Sequence, residues 1–216
     1  MYYPPYNKTE QTKSNKNSNT LVDVTPFSPI VLKSKYIWDN KSEVIKWCEN
    51  LVNSEKPKQD TSWINGISKN SSVPHMNPIF KNFYNWLDGI AMDIIVNQYG
   101  YDKNMLYTIQ NSWINLHSPG GSTEIHHHGP AIISVATYLH MPENGGYIEF
   151  KDPLEYNKGY FPVAGEDDIS NWKVVPTLTN DVVLFPGWLR HRTQKNKSKE
   201  NRWVLTTNYI CKNILK

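Results

Sequence analysis

The 216-residue sequence has only two cysteines, Cys48 and Cys211, which fit no metal-knuckle spacing and no disulfide framework. Two isolated cysteines are expected to be buried thiols in a reducing compartment. No apolar run is long enough for a membrane span. The most apolar long segment, Ile79 to Val96, is interrupted by Lys81, Asp88 and Asp93. The first residues also lack the apolar stretch of a signal peptide. The expectation is therefore a soluble, cytoplasmic protein. Charge of one sign is not in excess: 23 Lys and Arg against 20 Asp and Glu give +3, and the pI of 8.7 comes from scattered lysines. The basic stripe of a nucleic-acid binder is missing, as is any internal repeat. What is abundant is tryptophan, eight in all, some of which are expected in a core or lining a pocket. The length suits one domain with a real core.

Residues 1–20 read as a polar arm, since Lys8 to Thr20 is too polar to support a core. Val22 to Tyr36 alternates apolar residues with prolines, which suits a short strand on a sheet edge. Ser42 reads as the N-cap of a first helix with Val44, Ile45, Cys48, Leu51 and Val52 on one face. Asn77-Pro78 reads as a cap followed by proline at the first helical position. The stripe Ile79, Phe83, Trp86, Leu87, Ile90, Ile94 and Ile95 then runs to a stop at Gly100. Between these helices, Lys56 to Pro74 reads as loop, tethered by Ile64 and Ile67.

From Leu106 onward the pattern is β. Strands are expected at Tyr107–Leu116, Ala131–Leu139, Tyr147–Phe150, Asp181–Phe185 and Arg202–Cys211, with a turn at Pro142-Glu143-Asn144-Gly145-Gly146. Lys151 to Lys173 is an insert of a length often found in functional lids. Helices first (about 40–100), then antiparallel strands with short turns (about 106–211), predict one mainly β domain over residues 21–216. Its form would be a sandwich or barrel with helices packed on one side.

The chemistry concentrates in His126, His127, His128, His140 and His191, five of the seven histidines. Imidazole is a common metal ligand, accepted by iron, zinc and copper. On an extended chain, residues i and i+2 project to the same face. His126 and His128 would then point together and His127 away. Two adjacent imidazoles make poor core residues and good ligands; the bland alternative is a solvated histidine run. His191 follows the apolar Asp181–Phe185 and the tight turn Pro186-Gly187, so it is delivered at a turn rim and can complete a three-ligand face. Arg202 opens the apolar run Trp203-Val204-Leu205. It is either a surface salt bridge or a bidentate anchor for an anion. Together these residues suggest a metal site that also holds an anionic co-substrate.

The string His126-x-His128, Ser134, Tyr138, Gly145-Gly146-Tyr147-Ile148-Glu149-Phe150-Lys151-Asp152-Pro153, Leu184-Phe185-Pro186-Gly187-Trp188-Leu189-x-His191 and Arg202 resembles the 2-oxoglutarate- and Fe(II)-dependent oxygenase superfamily. The resemblance is to a group related to prolyl hydroxylases that occurs in marine bacteria and phages. It runs from about Ser112 to Asn208. It implies a double-stranded β-helix, or jelly roll, with Fe(II) held by His126, His128 and His191. It implies 2-oxoglutarate and O2 as co-substrates, with ascorbate as a supporting reductant. Arg202 would bind the distal carboxylate of 2-oxoglutarate, Tyr138 would add a hydrogen bond to it, and Asn115 and Asn208 would line the pocket. The implied reaction couples decarboxylation of 2-oxoglutarate, to succinate and CO2, with hydroxylation of a small-molecule or peptidyl substrate. Trp113, Trp188 and the 151–173 segment are candidates for shaping the pocket. The usual facial triad has two histidines and one carboxylate. Here His128 stands at the carboxylate position, with Glu124 or Asp152 as alternative ligands.

Two rival readings remain at this point. A cupin-type dioxygenase would match Gly120-x5-His126-x-His128, but no glutamate lies four or five residues after His128, and a cupin has no special need for Arg202. A jelly-roll binding module without catalysis would carry the same histidines. The sequence fixes neither the substrate nor the oligomeric state.

Overall fold

Several strands of this chain bury both faces, and that explains their near-continuous apolar sequence. The computed structural model describes residues 22–23, 30–54, 64–65, 67–69, 73–153 and 172–212. Among these residues are twelve strands, β1 (Val22–Asp23), β2 (Leu32–Lys35), β3 (Ile64–Asn65), β4 (Ile67–Lys69), β5 (Tyr107–His117), β6 (Ser122–Thr123), β7 (Ile133–His140), β8 (Ile148–Lys151), β9 (Trp172–Val175), β10 (Asp181–Pro186), β11 (His191–Thr193) and β12 (Arg202–Cys211). A seven-stranded sheet runs β1-β2-β10-β7-β12-β5-β4, and a three-stranded sheet runs β11-β8-β9. Every pairing in both sheets is antiparallel.

Two helices, α1 (Lys41–Ser54) and α2 (Lys81–Asp93), cover one face of the large sheet. Phe80, Phe83, Leu87 and Ile94 pack there with Ile114, Val135, Leu184 and Leu205. Burying each such side chain stabilises the fold by about 1.5–3 kcal/mol. The opposite face meets the small sheet through Ala136, Tyr138, Phe150, Val183, Phe185 and Val204. Alternation along each central strand therefore sends one residue to the helices and the next to the space between the sheets. The expected mainly β, jelly-roll architecture with helices on one side is what the structure has.

Helix α2 begins as its sequence directs. Asn77 accepts a hydrogen bond from Ile79 N, Pro78 opens a 3-10 turn (Pro78–Phe80), and α2 follows. A π-turn over Ile94–Gln98 ends it, with Gly100 at φ 71. Four expectations differ. The first helix starts at Lys41, which puts Ser42 inside the first turn rather than at the cap. The stretch 56–74 is more than loop, because β3 pairs with β6 and β4 with β5 at the edge of the large sheet. Strand β2 lies one place in from the edge, outside it only the two-residue β1. The insert expected to be all loop ends in a strand, β9. The polar arm over 1–20 and most of that insert, 154–171, fall outside the described residues.

Candidate metal centre and adjoining anion cavity

His126 and His191 form an isolated antiparallel bridge, each donating its backbone N–H to the other's carbonyl at 3.0 Å. This bridge extends the small sheet by one residue and brings two segments 65 residues apart into register. His128 N donates to Gly187 O at 2.8 Å, which seats the histidine segment on the Pro186-Gly187 turn. Gly187 is required there: a Cβ would lie 2.2 Å from Ala131 O.

Ligand atoms of His126, His128 and His191 all lie within 4.8 Å of one another. The Nε2 atoms of His126 and His128 are 3.2 Å apart. Hydrogen bonding at the other ring nitrogen fixes each tautomer. His126 Nδ1 faces Glu124 O at 2.8 Å, and His191 Nδ1 faces Leu189 O at 2.9 Å. A carbonyl only accepts, so both Nδ1 atoms carry the proton and both Nε2 atoms present a lone pair. His128 Nδ1 is 2.7 Å from Ser134 Oγ, whose own proton goes to Asn208 Oδ1 at 2.8 Å. Three lone-pair nitrogens thus converge. Facing lone pairs repel, and a cation seated among them relieves the repulsion. The residues present therefore fit a divalent transition metal.

Burial lowers the pKa of all three imidazoles. That of His128 falls to about 3, with the neighbouring His126 adding to the effect, and that of His191 falls well below the ordinary value. All three are neutral at pH 7, the form that binds metal. Among the described residues no carboxylate joins the cluster. Glu124 is exposed and Asp152 lies outside the group. His127 is exposed, as its place between the two ligand candidates implies, and its Nδ1 accepts from Gly129 N. His140 sits apart, paired with Glu200 at 3.1 Å.

A cavity of about 40 Å³ (the space open to a water molecule's centre) adjoins the histidines. That is several times what one water needs. Trp113, Asn115 and His117, at i, i+2 and i+4 of β5, form one wall; Tyr138, Thr123, Thr193 and Thr206 line the rest with apolar Ala136, Ile148, Phe185 and Val204. Asn115 and Tyr138, expected to meet the co-substrate, both line this cavity. Asn208, 4% exposed, is not among the lining residues; it accepts from the Ser134 hydroxyl and also lies within hydrogen-bonding reach of the His128 ring. Trp113 stands with its ring centre 5.4 Å from that of His128. Trp188 is not among the lining residues and is 52% exposed.

Arg202 is wholly buried, and among the described residues no carboxylate pairs with it. A surface salt bridge is therefore excluded for it. Nη1 donates to Gly145 O (2.6 Å), Gly146 O (2.7 Å) and Gln194 O (3.2 Å), and Nη2 donates to Thr193 Oγ1 (2.8 Å). Its Nε has no partner. The guanidinium does not itself line the cavity; Thr193 stands between. Burial lowers its pKa to about 10, so it stays charged at neutral pH. Thr193 Oγ1 accepts from both Arg202 Nη2 and Thr123 N, which leaves its own proton free to point into the cavity. His117 Nδ1 and Asn115 Oδ1 are buried without partners. These are the marks of a polar cradle shaped for a ligand.

Residues 111–208 match the family model described as "Putative 2OG-Fe(II) oxygenase". Over that stretch, somewhat under half of its length, the chain is similar to the 2-oxoglutarate- and Fe(II)-dependent oxygenases. Solved structures with the same fold include a Pseudomonas putida prolyl-4-hydroxylase (13% identity, 84% of this chain and 92% of that one, TM-score 0.59). HygX from Streptomyces hygroscopicus, solved with nickel and 2-oxoglutarate, is similar at 12% identity (84% and 83% covered, TM-score 0.57). So is the viral collagen prolyl hydroxylase of Paramecium Bursaria Chlorella virus-1, in its 2-oxoglutarate complex (12%, 83% and 94% covered, TM-score 0.55). No curated protein matches by sequence. Among the described residues no helix is long and apolar enough to cross a membrane.

Sequence reasoning about the site missed His117, Thr123 and Thr193. The alternation Trp113-x-Asn115-x-His117 was a usable signal, because a polar i+2, i+4 series on an otherwise apolar strand marks a face that meets something other than core. Thr193, two residues after His191, was open to the same reasoning.

Proposed function

We propose that the chain is an Fe(II)- and 2-oxoglutarate-dependent dioxygenase that hydroxylates a small-molecule or peptidyl substrate. The carrying observation is the pairing of three converging imidazole nitrogens with a buried guanidinium that has no carboxylate partner among the described residues, behind the same cavity. Leaving a charge buried and unpaired is costly, and an anionic ligand offsets that cost.

The geometry also supports a particular kind of anion. His191 and Thr193 lie two residues apart on one face of β11, a span of about 6.7 Å. A dianion with its charges at the two ends of a short chain can meet the metal centre at one end and the Thr193 hydroxyl, backed by Arg202, at the other. 2-Oxoglutarate has that form. Asn115 and Tyr138 lie along the cavity where they can orient the chain of the ligand, and Trp113, Phe185 and Val204 exclude water from it. His126, His128 and His191 would hold the iron, which when bound supplies O2 activation coupled to decarboxylation of the co-substrate. Three neutral ligands leave the centre one unit more positive than a two-histidine, one-carboxylate set, which favours a dianionic co-substrate.

An anaerobic titration of the metal-free protein with Fe(II) and then 2-oxoglutarate tests the reading. A weak visible charge-transfer band that needs both additions, and is lost in Arg202→Ala, is the expected result. Iron binding without the band points to a cupin-type dioxygenase, and no iron binding to a non-catalytic module.

A further inference from the structure

Two of the three imidazoles in the cluster are oriented by backbone carbonyls, each two residues before its histidine: Glu124 O for His126 and Leu189 O for His191. No side-chain substitution removes those acceptors. The third, His128, has no such carbonyl. Its Nδ1 meets Ser134 Oγ at 2.7 Å, and Ser134 Oγ meets Asn208 Oδ1 at 2.8 Å. Ser134 on β7 and Asn208 on β12 are directly opposite in the sheet register, and both are buried, at 0% and 4% exposure.

We infer that Ser134 and Asn208 are positioning residues that hold His128 in its Nδ1–H tautomer, as a hydrogen-bond relay from His128 to Ser134 to Asn208. The inference rests on reading the histidine cluster as a metal site. A hydroxyl alone cannot choose the tautomer, because Ser134 Oγ can either donate to Nδ1 or accept from it. Asn208 Oδ1 makes the choice. It only accepts, so it takes the serine proton and leaves the hydroxyl's lone pair for the His128 N–H. The lone pair of His128 Nε2 then faces those of its two partners. Because the relay ends on a neutral amide and not a carboxylate, His128 stays an uncharged ligand and its proton stays on Nδ1. Asn208, expected from sequence to touch the co-substrate, thus acts on the metal through His128, by way of the Ser134 hydroxyl and as an acceptor beside the ring itself. Partners of this kind change metal affinity by about 10–100-fold when removed.

The signature is which nitrogen of His128 carries the proton. In the metal-free wild-type protein, long-range proton–nitrogen NMR of the imidazoles should show His128 as the Nδ1–H tautomer. In Asn208→Ala the serine proton is released to His128 Nδ1, and the ring proton should move to Nε2, into the cluster. Co(II) titration, read by its visible spectrum, should show binding about 10–100-fold weaker in Asn208→Ala and in Ser134→Ala, with Ser134→Thr restoring it to within about threefold. An unchanged His128 tautomer in Asn208→Ala, or Co(II) affinity in both alanine variants within threefold of wild type, overturns the inference. If wild-type protein itself fails to bind Co(II), the metal reading fails, and the tautomer shift alone then decides whether the relay operates. A purely structural role would lower thermal stability in these variants without moving the ring proton.

Discussion

Replacing Thr193 by valine removes one hydroxyl and keeps the shape of the side chain. In the structure Thr193 Oγ1 accepts from Arg202 Nη2 at 2.8 Å and from Thr123 N at 2.8 Å, and faces the cavity two residues from His191. Two effects follow, and they separate. Within the free protein, two buried donors lose an acceptor, at about 1–3 kcal/mol each. On co-substrate binding, one hydrogen bond to a carboxylate is lost, worth about 1.5–3 kcal/mol. At 1.4 kcal/mol per decade this raises the Kd for 2-oxoglutarate about 10- to 140-fold. The affinity for Fe(II) alone should not change, because no histidine contact is touched. Urea denaturation measures the first effect and anaerobic titration of the Fe(II) protein with 2-oxoglutarate the second. A variant that loses stability but keeps its 2-oxoglutarate affinity to within twofold would refute the placement of the distal carboxylate at Thr193.

Further expectations concern the metal centre, the turn beside it and pH. His126→Ala and His191→Ala should each abolish Co(II) or Fe(II) binding by calorimetry, whereas His127→Ala, altering an exposed ring outside the cluster, should leave it intact. Gly187→Ala forces a Cβ to within 2.2 Å of Ala131 O. The displaced turn should cost about 1–3 kcal/mol in urea denaturation and weaken metal binding through the His128 N to Gly187 O contact. His117 and His191 are held neutral by burial, with pKa values well below the ordinary one. Their unfolded forms take up protons below about pH 6.5 while the folded forms do not. Stability of the metal-free protein should therefore be complete above that pH and fall as pH drops below it, by up to about 1.4 kcal/mol per unit for each histidine. Equal urea midpoints at pH 5.5 and 7.5 would contradict the assigned burial.

The elements legible in the sequence were those whose local chemistry agrees with their long-range role. Asn77-Pro78 announces α2 because cap and proline act within one turn. Strands β5, β7, β10 and β12 show as apolar runs because helices cover one face and the small sheet the other. The elements that escaped, β3, β4, β6, β9 and β11, span two to four residues each. They exist only through partners far away in the chain, so they carry no period to detect. The site divides in the same way. The i, i+2 spacing of His126 and His128 brings their rings together although only His126 takes part in a β-bridge and His128 lies outside any strand. For Asn208 and Trp188 the spacing carries no such signal: whether a polar or aromatic group faces a cavity depends on what stands in front of it, and Ser134 and the Pro186-Gly187 turn are set by tertiary contacts.

Strand β12 serves two clients on alternate residues. Thr207 bonds to Tyr84 of α2 at 3.2 Å and Tyr209 bonds to Asp88 of the same helix, while Asn208 between them faces Ser134. A change on the helical side therefore need not come near the cavity to be felt there. A shift of α2 would tug Thr207 and Tyr209, rotate the residue between them, and reach His128 through a single hydroxyl. In such an architecture, selection for stability on one side of the sheet and for ligand geometry on the other acts on neighbouring codons, and the two traits are free to vary separately only as far as one strand can twist.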